Sequence, residues 1–440
     1  MRYGALHDKK SAWAPLLLLF MAFALSLLPD SAPAYAAPDD RPSAAEGGPA
    51  DAANARADAQ AETGRTPADG RPDAGGLAGE LAEQQAGDID LGQIELFWNK
   101  LKGEYGGYFP DGQVPELKQL MFPEGKGWSV GQALGGLVRY FLHELLYSGK
   151  LVVTIVLLSV FAMILETMQN AFERNTVSRV AYSIAYMVLL IIAVNSFRNA
   201  TSYAEEAIGN MVQFMLAMIP LLLTLLASTG GVTTVAVMHP LIVFMIHSIG
   251  TLIHLVVFPL LFFSAVLHLA SAVSDRYKVT QLANLLRSIS VGMLGVLLTL
   301  FLGVLSVQGA TGAVADGIVL KTTKFVTSNF VPVVGRVFSD AADTVLSASL
   351  LVKNAVGLAG VIILLFLCAF PAVKILTLAL IYNLSAAVMQ PLGDTPIVGC
   401  LQTIGKTLIY VFATLASVGL MFFLAVTIIL TAGNASVMLR

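Results

Sequence analysis

Three of the six histidines recur at regular spacing inside a strongly apolar stretch. His239, His247 and His254 are eight and seven residues apart, a spacing that can share one face of a long helix. Ionisable groups inside a membrane segment are candidates for function. Zinc ligands on one helix lie three or four residues apart, however, and a turn near Gly250 would put His254 on a different span. We therefore predict no metal site and assign these histidines to hydrogen bonds between helices or to the membrane interface.

Other patterns that could carry catalysis are incomplete. His143-Glu144 begins like the zinc-protease helix, but Tyr147 stands where the second histidine ligand is needed. The sequence has neither a phosphate-binding glycine-rich loop with its lysine nor a Gly-x-Ser-x-Gly nucleophile turn. Asp316 and Asp340 could be an aspartyl pair, although both lie in charged, amphipathic stretches where salt-bridged carboxylates are common. We predict that the chain is not an enzyme and uses no cofactor; an intramembrane enzyme is the third class of hypothesis.

Composition assigns the chain to the membrane. Of its 440 residues, 56% are hydrophobic and only 12% are charged, against about 25% charged residues in soluble domains. The net charge of −3 gives no basic surface for nucleic acid. Cys368 and Cys400 both lie in the apolar half and are expected to be free buried thiols, with a disulfide between them as the alternative.

The longest uncharged tract organises the rest of the chain. Residues 207–274 contain no Lys, Arg, Asp or Glu. As one helix this tract would measure roughly 100 Å, about three times the hydrocarbon thickness of a bilayer. Turn-forming residues at 228–231 (STGG) and 248–251 (SIGT) divide it into three segments of about 20 residues. The tract therefore predicts three membrane crossings.

Flanking charges indicate the orientation of these crossings. Residues 205–206 are both glutamate, whereas the segments 174–179 and 276–287 carry lysine and arginine. Because basic loops remain in the cytoplasm, the two basic segments are predicted to be cytoplasmic and 205–206 to be outside.

The patterns in the N-terminal third predict an export signal, a linker and a cap. A basic start, an apolar core at 14–28 and the small-residue pattern at 34–36 (AYA) predict a signal peptide, with an uncleaved anchor as the alternative. The acidic Ala/Gly/Pro-rich segment that follows cannot bury enough apolar surface and is predicted to be disordered. Apolar residues at helical spacing then predict a small helical cap outside the cytoplasm, packed on the membrane surface or on partners. The apolar positions are Ile94, Phe97, Trp98, Leu101 and Tyr105.

Together these patterns predict an all-α, polytopic helical membrane protein with about 7–9 transmembrane helices, a cleavable signal peptide and an exported cap. The predicted regions are 1–36 (signal peptide), 37–90 (linker), 91–150 (cap), 151–308 (the first six spans), 309–354 (an amphipathic or re-entrant segment) and 355–440 (C-terminal spans, the first of which is predicted to end at Pro371).

Prolines and glycines mark positions where a helix could break and line a conduit. A proline inside a helix removes one backbone hydrogen bond, and ordinary packing is the alternative explanation. The motifs PVVG at 332–335 and PIVG at 396–399 also resemble one another, which is either a trace of an internal repeat or a coincidence. The candidate positions are Pro220, Pro240, Pro259, Pro332, Gly335, Pro371, Pro396 and Gly399.

The order of features from about residue 90 to the C-terminus resembles the stage III sporulation protein AE family. The residues that carry the resemblance are Pro259 with the apolar run after it, 282–287 (LANLLR), 303–309 (GVLSVQG), Asp316-Gly317, 332–335 (PVVG) and 353–357 (KNAVG). The linker is longer than is usual for that family.

The resemblance implies a role in endospore formation. Proteins of this family are similar to membrane components of a channel-like or secretion-like complex made in the mother cell. That complex joins the membrane around the forespore to stage II sporulation protein Q and supports late forespore gene expression. The implied partners are the other stage III sporulation A-operon membrane proteins, and the implied role is a permease-like platform or conduit without catalytic residues. The alternative is an autonomous secondary transporter of a small solute.

Overall fold

Helices form all of the regular structure that the computed structural model describes. It describes residues 74–87, 89–109, 114–122, 130–171, 176–273, 278–330, 334–393 and 395–438, with no strand among them. The predicted signal peptide at 1–36 and most of the predicted linker lie outside these residues. The packing described below belongs to Ala78–Arg440, one of two compact units of the chain. The helices are α1 (Ala74–Gly87), α2 (Gly92–Tyr105), α3 (Leu117–Met121), α4 (Val130–Tyr147), α5 (Gly149–Ala171), α6 (Thr176–Ser228), α7 (Val232–Leu252), α8 (Phe258–Val273), α9 (Thr280–Phe330), α10 (Val334–Met389) and α11 (Pro396–Met438).

Six helical stretches are long and apolar enough to cross a membrane. The shortest has 20 residues, and the other five have between 39 and 49. At 1.5 Å per residue, the longest measures about 74 Å, more than twice the roughly 30 Å hydrocarbon layer. The predicted all-α fold is confirmed in the described residues, and the structure shows six stretches that could span a membrane instead of seven to nine.

The count is lower because three predicted breaks, at 205–206, at 248–251 and at Pro371, do not interrupt their helices. α6 runs unbroken from Thr176 to Ser228 through the glutamates at 205–206. Residues 248–251 are also helical, and a five-residue π-helical turn, Ile253–Val257, joins α7 to α8 as one rod. Polar or small residues alone therefore do not end a helix that packs against neighbours along its length. The turn at 228–231 is confirmed.

That confirmed turn depends on a glycine. Gly230 has φ of +95°, a left-handed conformation that side chains other than glycine rarely adopt. Its amide N–H donates to the carbonyl of Ala227, and the amide of Gly231 donates to that of Leu226. These two bonds close the end of α6 before α7 begins.

The segment 309–354 does not form separate short helices. Its first part continues α9 to Phe330, and its last part belongs to α10, which starts at Val334. α10 also continues through Pro371, where the sequence predicted the end of a span. The C-terminal region thus contributes two long helices, because the proline ring is accommodated within a packed helix at the loss of one backbone hydrogen bond.

α10 and α11 form the centre of the bundle. Each buries more than half of its most apolar segment, whereas α5 and α9 bury less than a quarter of theirs. α6 packs against both central helices and runs antiparallel to α10, as shown by the contacts of Tyr203 with Lys374 and of Ile192 with Tyr382. α9 packs on the other side of α11, together with the α7–α8 rod.

The N-terminal helices lie against this bundle. The predicted cap contains α2, α3 and α4, and all three contact α10. The structure shows the cap packed on helices of its own chain. Its predicted contact with the membrane surface or with partners stays a prediction. α1 forms where the sequence predicted a disordered linker, and its Gln85 accepts a hydrogen bond from Ser349 of α10. Ala82 and Ala86 of the same helix are buried.

Candidate functional site

The inner face of α2 fixes the cap to the bundle. Ile94, Trp98 and Leu101 recur at three- and four-residue spacing and are buried. The Trp98 ring lies 6.5 Å from that of Phe366 on α10, and its indole N–H donates to the carbonyl of Pro115 at 2.9 Å. Trp98 therefore joins α2, the segment before α3 and the central helix of the bundle.

A second set of rings surrounds Phe370, one helical turn after Phe366. Tyr105 stacks on Phe370 with a centroid distance of 4.0 Å and an interplanar angle of 1°. Tyr140 of α4 and Phe109 meet the same ring edge-on, at 5.2 and 6.0 Å. Burial raises the pKa of both Tyr105 and Tyr140 above the ordinary value. Their neutral hydroxyls are thus part of an aromatic cluster formed by three separate elements.

Polar contacts continue the docking site onto α6. Lys100 of α2 donates from Nζ to Oδ1 of Asn210 at 3.1 Å. Nearer the start of α6, the ammonium of Lys374 lies 4.0 Å from the ring centroid of Tyr203, a cation–π contact. These groups lie beside the aromatic cluster and give the docking site a polar edge.

A lysine is fully enclosed near the opposite end of α10. Lys353 has no exposed side-chain surface and donates from Nζ to the carbonyl of Leu430 and to Oδ1 of Asn434, both at 3.1 Å. These acceptors lie near the C-terminal end of α11, where the helix dipole favours a cation. A side chain at Gly433 would collide with the Lys353 ammonium. This site was not predicted, although Lys353 is the one charge in the sequence between Asp343 and Lys374.

Asp316 is a buried aspartate at the same end of the bundle as Lys353. Its carboxylate accepts the backbone N–H groups of Thr233 and Thr234, at 3.0 and 3.2 Å, and the Thr234 hydroxyl. The carboxylate of α9 therefore caps the N-terminus of α7, where free N–H groups and the helix dipole favour an anion. This role differs from the aspartyl pair considered above, whose other member, Asp340, has no described side chain.

Four of the predicted break positions lie within continuous helical rods. Pro220, Pro240 and Pro371 are inside α6, α7 and α10, respectively. Pro259 is the second residue of α8 and directly follows the π-helical turn Ile253–Val257. Because proline has no N–H to donate, a wider turn before Pro259 is the expected adjustment. The structure places these prolines in helices, and their use in a conduit stays a prediction.

The two related motifs lie at equivalent places. Pro396 is the first residue of α11, a position that suits proline, and Gly399 lies in the first turn with an exposed α-carbon. Gly335 is in the first turn of α10, while Pro332 lies just outside the described residues. Each motif therefore accompanies the start of one of the two central helices.

The three spaced histidines are exposed on the α7–α8 rod, and none lies in a group of metal-binding residues. Nδ1 of His254 is 3.8 Å from Oε1 of Glu205 on α6, and His239 and His247 point to the outside. Among the described residues, no three His, Cys, Asp or Glu side chains converge. Cys368 and Cys400 are free and buried, as predicted.

The fold and these sites define a class, a polytopic α-helical membrane protein with an N-terminal helical cap docked on the bundle. Comparison with known proteins then gives the family. The sequence model of the family described as Stage III sporulation protein AE matches residues 113–433. The chain is 53% identical over 363 residues to Stage III sporulation protein AE of Bacillus subtilis (strain 168). The matched region covers 82% of this chain and 91% of that relative. No solved structure matches it. The chain belongs to the stage III sporulation protein AE family, as its resemblance indicated.

Proposed function

We propose that this chain is a non-enzymatic membrane subunit of a sporulation channel or secretion-like complex between mother cell and forespore. In that complex it acts as a permease-like platform or conduit. Family membership supports the sporulation role, and the six long apolar stretches support the membrane location.

The observation that favours a subunit over an independent protein is the length of its exposed apolar surface. Large apolar side chains are exposed along α9 from Leu282 to Phe325. At 1.5 Å per residue this distance is about 65 Å, roughly twice the hydrocarbon thickness. Even a helix tilted by about 40° would extend about 50 Å along the membrane normal. Lipid can cover only part of this stripe, and the remainder calls for protein partners.

The proposed partners are the other stage III sporulation A-operon membrane proteins and, through the complex, stage II sporulation protein Q. The proposed location is the mother-cell membrane around the forespore, with the cap on the intermembrane side. Basic residues at 174–179 and 276–287 support a cytoplasmic location for the α5–α6 and α8–α9 connections.

This orientation has a direct topological test. Six crossings, an even number, place the C-terminus on the same side as the cap, whereas nine place it in the cytoplasm. A reporter after Met438 is therefore expected outside the cytoplasm and a reporter at Lys278 inside. If both report from the same side, this path through the membrane is wrong.

The function itself is tested by isolation. The full-length chain should co-purify from sporulating cells with its neighbouring membrane proteins and should show no solute flux alone in vesicles. An autonomous secondary transporter is the second candidate, favoured by the prolines within helices and the π-helical turn. Solute flux by the isolated chain, with no partner recovered, would establish the transporter instead.

A further inference from the structure

The outer surfaces of α6 and α9 can be compared at the same height along the bundle. Gly419 of α11 lies against the side chains of Cys368 on α10 and Met211 on α6. One turn further along α11, the ring of Phe422 lies 6.3 Å from that of Phe301 on α9. Residues near 211 on α6 and near 301 on α9 are thus at similar heights along α11.

The α6 side is polar at this height. Ser202, Glu206 and Gln213 are exposed and, at spacings of four and seven residues, lie on one face of the helix. That face continues onto α2 through the hydrogen bond from Lys100 to Asn210. The outer face of α2 there presents a run of polar and charged side chains, namely Asn99, Lys100, Lys102 and Glu104.

α7 extends the same surface on the other flank of α6. The contact between His254 and Glu205 joins the two helices at their outer edge. His239 and His247 are exposed and share the helix face of His254 by their spacing. We call these exposed polar side chains of α2, α6 and α7 the polar sector.

The α9 side has the opposite character. Residues 288–315 contain no Asp, Glu, Lys or Arg and provide about 40 Å of helix, enough to cross the hydrocarbon layer. The exposed large side chains there are aliphatic, and they include Val296, Leu300, Val307 and Val314. α9 packs on α7, α8 and α11, while the cap contacts α6 and α10. The cap and α9 therefore contact different helices of the bundle.

We infer that the polar sector borders an aqueous space at membrane depth, while the exposed face of α9 within 288–315 contacts lipid. Charged side chains on α2 cannot face hydrocarbon without a large free-energy cost. At the same height, uncharged segments of four helices are each long enough to span the hydrocarbon layer. They are 207–228 of α6, 288–315 of α9, 354–373 of α10 and 407–438 of α11. Water on one side and lipid on the other satisfies both conditions. The inference rests on the proposed conduit function and assigns that conduit a wall.

A competing arrangement has this half of the bundle outside the membrane, with water on every side. The inferred arrangement puts Leu300 in lipid and the competing one puts it in water, whereas both put Gln213 in water. A third arrangement, in which lipid or protein seals the polar sector, differs in the surroundings of Gln213.

Thiol accessibility distinguishes the three arrangements. In the full-length chain carrying Cys368→Ala and Cys400→Ala, single cysteines are introduced as Gln213→Cys or as Leu300→Cys. In sporulating cells, the mother-cell membrane around the forespore is permeabilised so that reagent can reach the intermembrane side. The cells are then treated with a charged, membrane-impermeant methanethiosulfonate. Since only a hydrated thiol ionises and reacts, Gln213→Cys is expected to react at least about ten-fold faster than Leu300→Cys. Lys102→Cys and Val307→Cys are the second pair, expected to behave in the same way.

Comparable reaction at both positions would place this height outside the membrane and overturn the inference. So would protection of both Gln213→Cys and Lys102→Cys. All four substituted positions are exposed, so these variants should fold; their amounts in the membrane fraction check this. The outcome is separable from the proposed function, because co-purification with partners is measured on the unlabelled chain and does not depend on which side is hydrated.

Discussion

The docking site of the cap and the far end of the bundle are both tightly buried, but different groups hold them together. At the docking site, Trp98 and Tyr105 pack against Phe366 and Phe370 on α10, so the contacts are between side chains. At the far end, Lys353 and the aspartate of α9 bind chiefly backbone groups at helix termini. The first arrangement holds a separate segment against the bundle. The second fixes where the long helices begin and end.

Because different groups hold the two regions, substitutions in them should have effects of different extent. Loss of an aromatic contact should release the cap and leave the membrane helices packed. Loss of a buried charge should instead disturb α7 or α11 themselves, because backbone groups would remain without partners in an apolar interior.

The largest effect is expected from Lys353→Glu. The new carboxylate would face the Leu430 carbonyl and the Asn434 amide oxygen with no cation, so the folded state should lose about 4 kcal/mol. Thermal unfolding of the purified protein in detergent, together with its amount in membranes, measures this loss.

Lys353→Met is the matched control. It keeps most of the volume but removes the charge, so its loss should be only about 1–2 kcal/mol. Equal stability of the Glu and Met variants would show that position 353 is not enclosed as described.

Trp98→Ala tests the other region. Removing the indole deletes its packing on Phe366 and the hydrogen bond to Pro115, which should weaken docking of the cap by about 3 kcal/mol. Limited proteolysis should then cut α2 and α3 faster, while the unfolding of the membrane helices changes little. Leu96→Ala is the control, since Leu96 is 70% exposed on the same helix. Identical cleavage of the two variants would contradict the docking role of Trp98.

These two regions also differ in how far the sequence predicts them. The three- and four-residue spacing of Ile94, Trp98 and Leu101 predicted an apolar helix face before any partner was known. Its partner, the pair of rings on α10, could not be predicted, because nothing in local spacing pairs residue 98 with residue 366. Membership in the family was predicted from ordered short motifs, and the comparisons confirmed it.

The helix boundaries show a physical limit of the same kind. The glycine turn at 228–231 was predicted correctly, since Gly230 adopts a positive φ. The glutamates at 205–206 and Pro371 were wrongly taken as ends of spans. Whether such residues end a helix depends on neighbouring helices that bury its other faces, and this information is not local. Likewise, the acceptors of Lys353 lie far along the chain on α11, so the local sequence does not indicate that this charge is buried.

Asp316→Ala should have a smaller effect, confined to the start of α7. Without the carboxylate, the N–H groups of Thr233 and Thr234 lose their acceptor, at a cost of about 2 kcal/mol. Hydrogen exchange should rise in the first turns of α7 and stay unchanged in α2. Asp316→Asn retains one acceptor oxygen, so its exchange rate in α7 should lie between those of the native chain and Asp316→Ala. Faster exchange in α2 would show that the two regions are coupled rather than separate.

The smallest effect is a pH dependence restricted to the docking site. Burial, followed by the nearby Glu144 carboxylate, raises the pKa of Tyr140 above its ordinary value of about 10, and burial does the same for Tyr105. The folded chain therefore keeps protons that the released segment loses in alkali. The contribution of these tyrosines is complete below pH about 10 and decreases as the pH rises above it. Proteolysis of the cap should accordingly be constant from pH 7 to about 9 and increase above about 10. The variant with Tyr105→Phe and Tyr140→Phe should lose this increase, because phenylalanine fills the same space around Phe370 without a proton to release. If the double variant is released by alkali as readily as the native chain, the neutral hydroxyls do not control docking, and the pH response arises elsewhere in the cap.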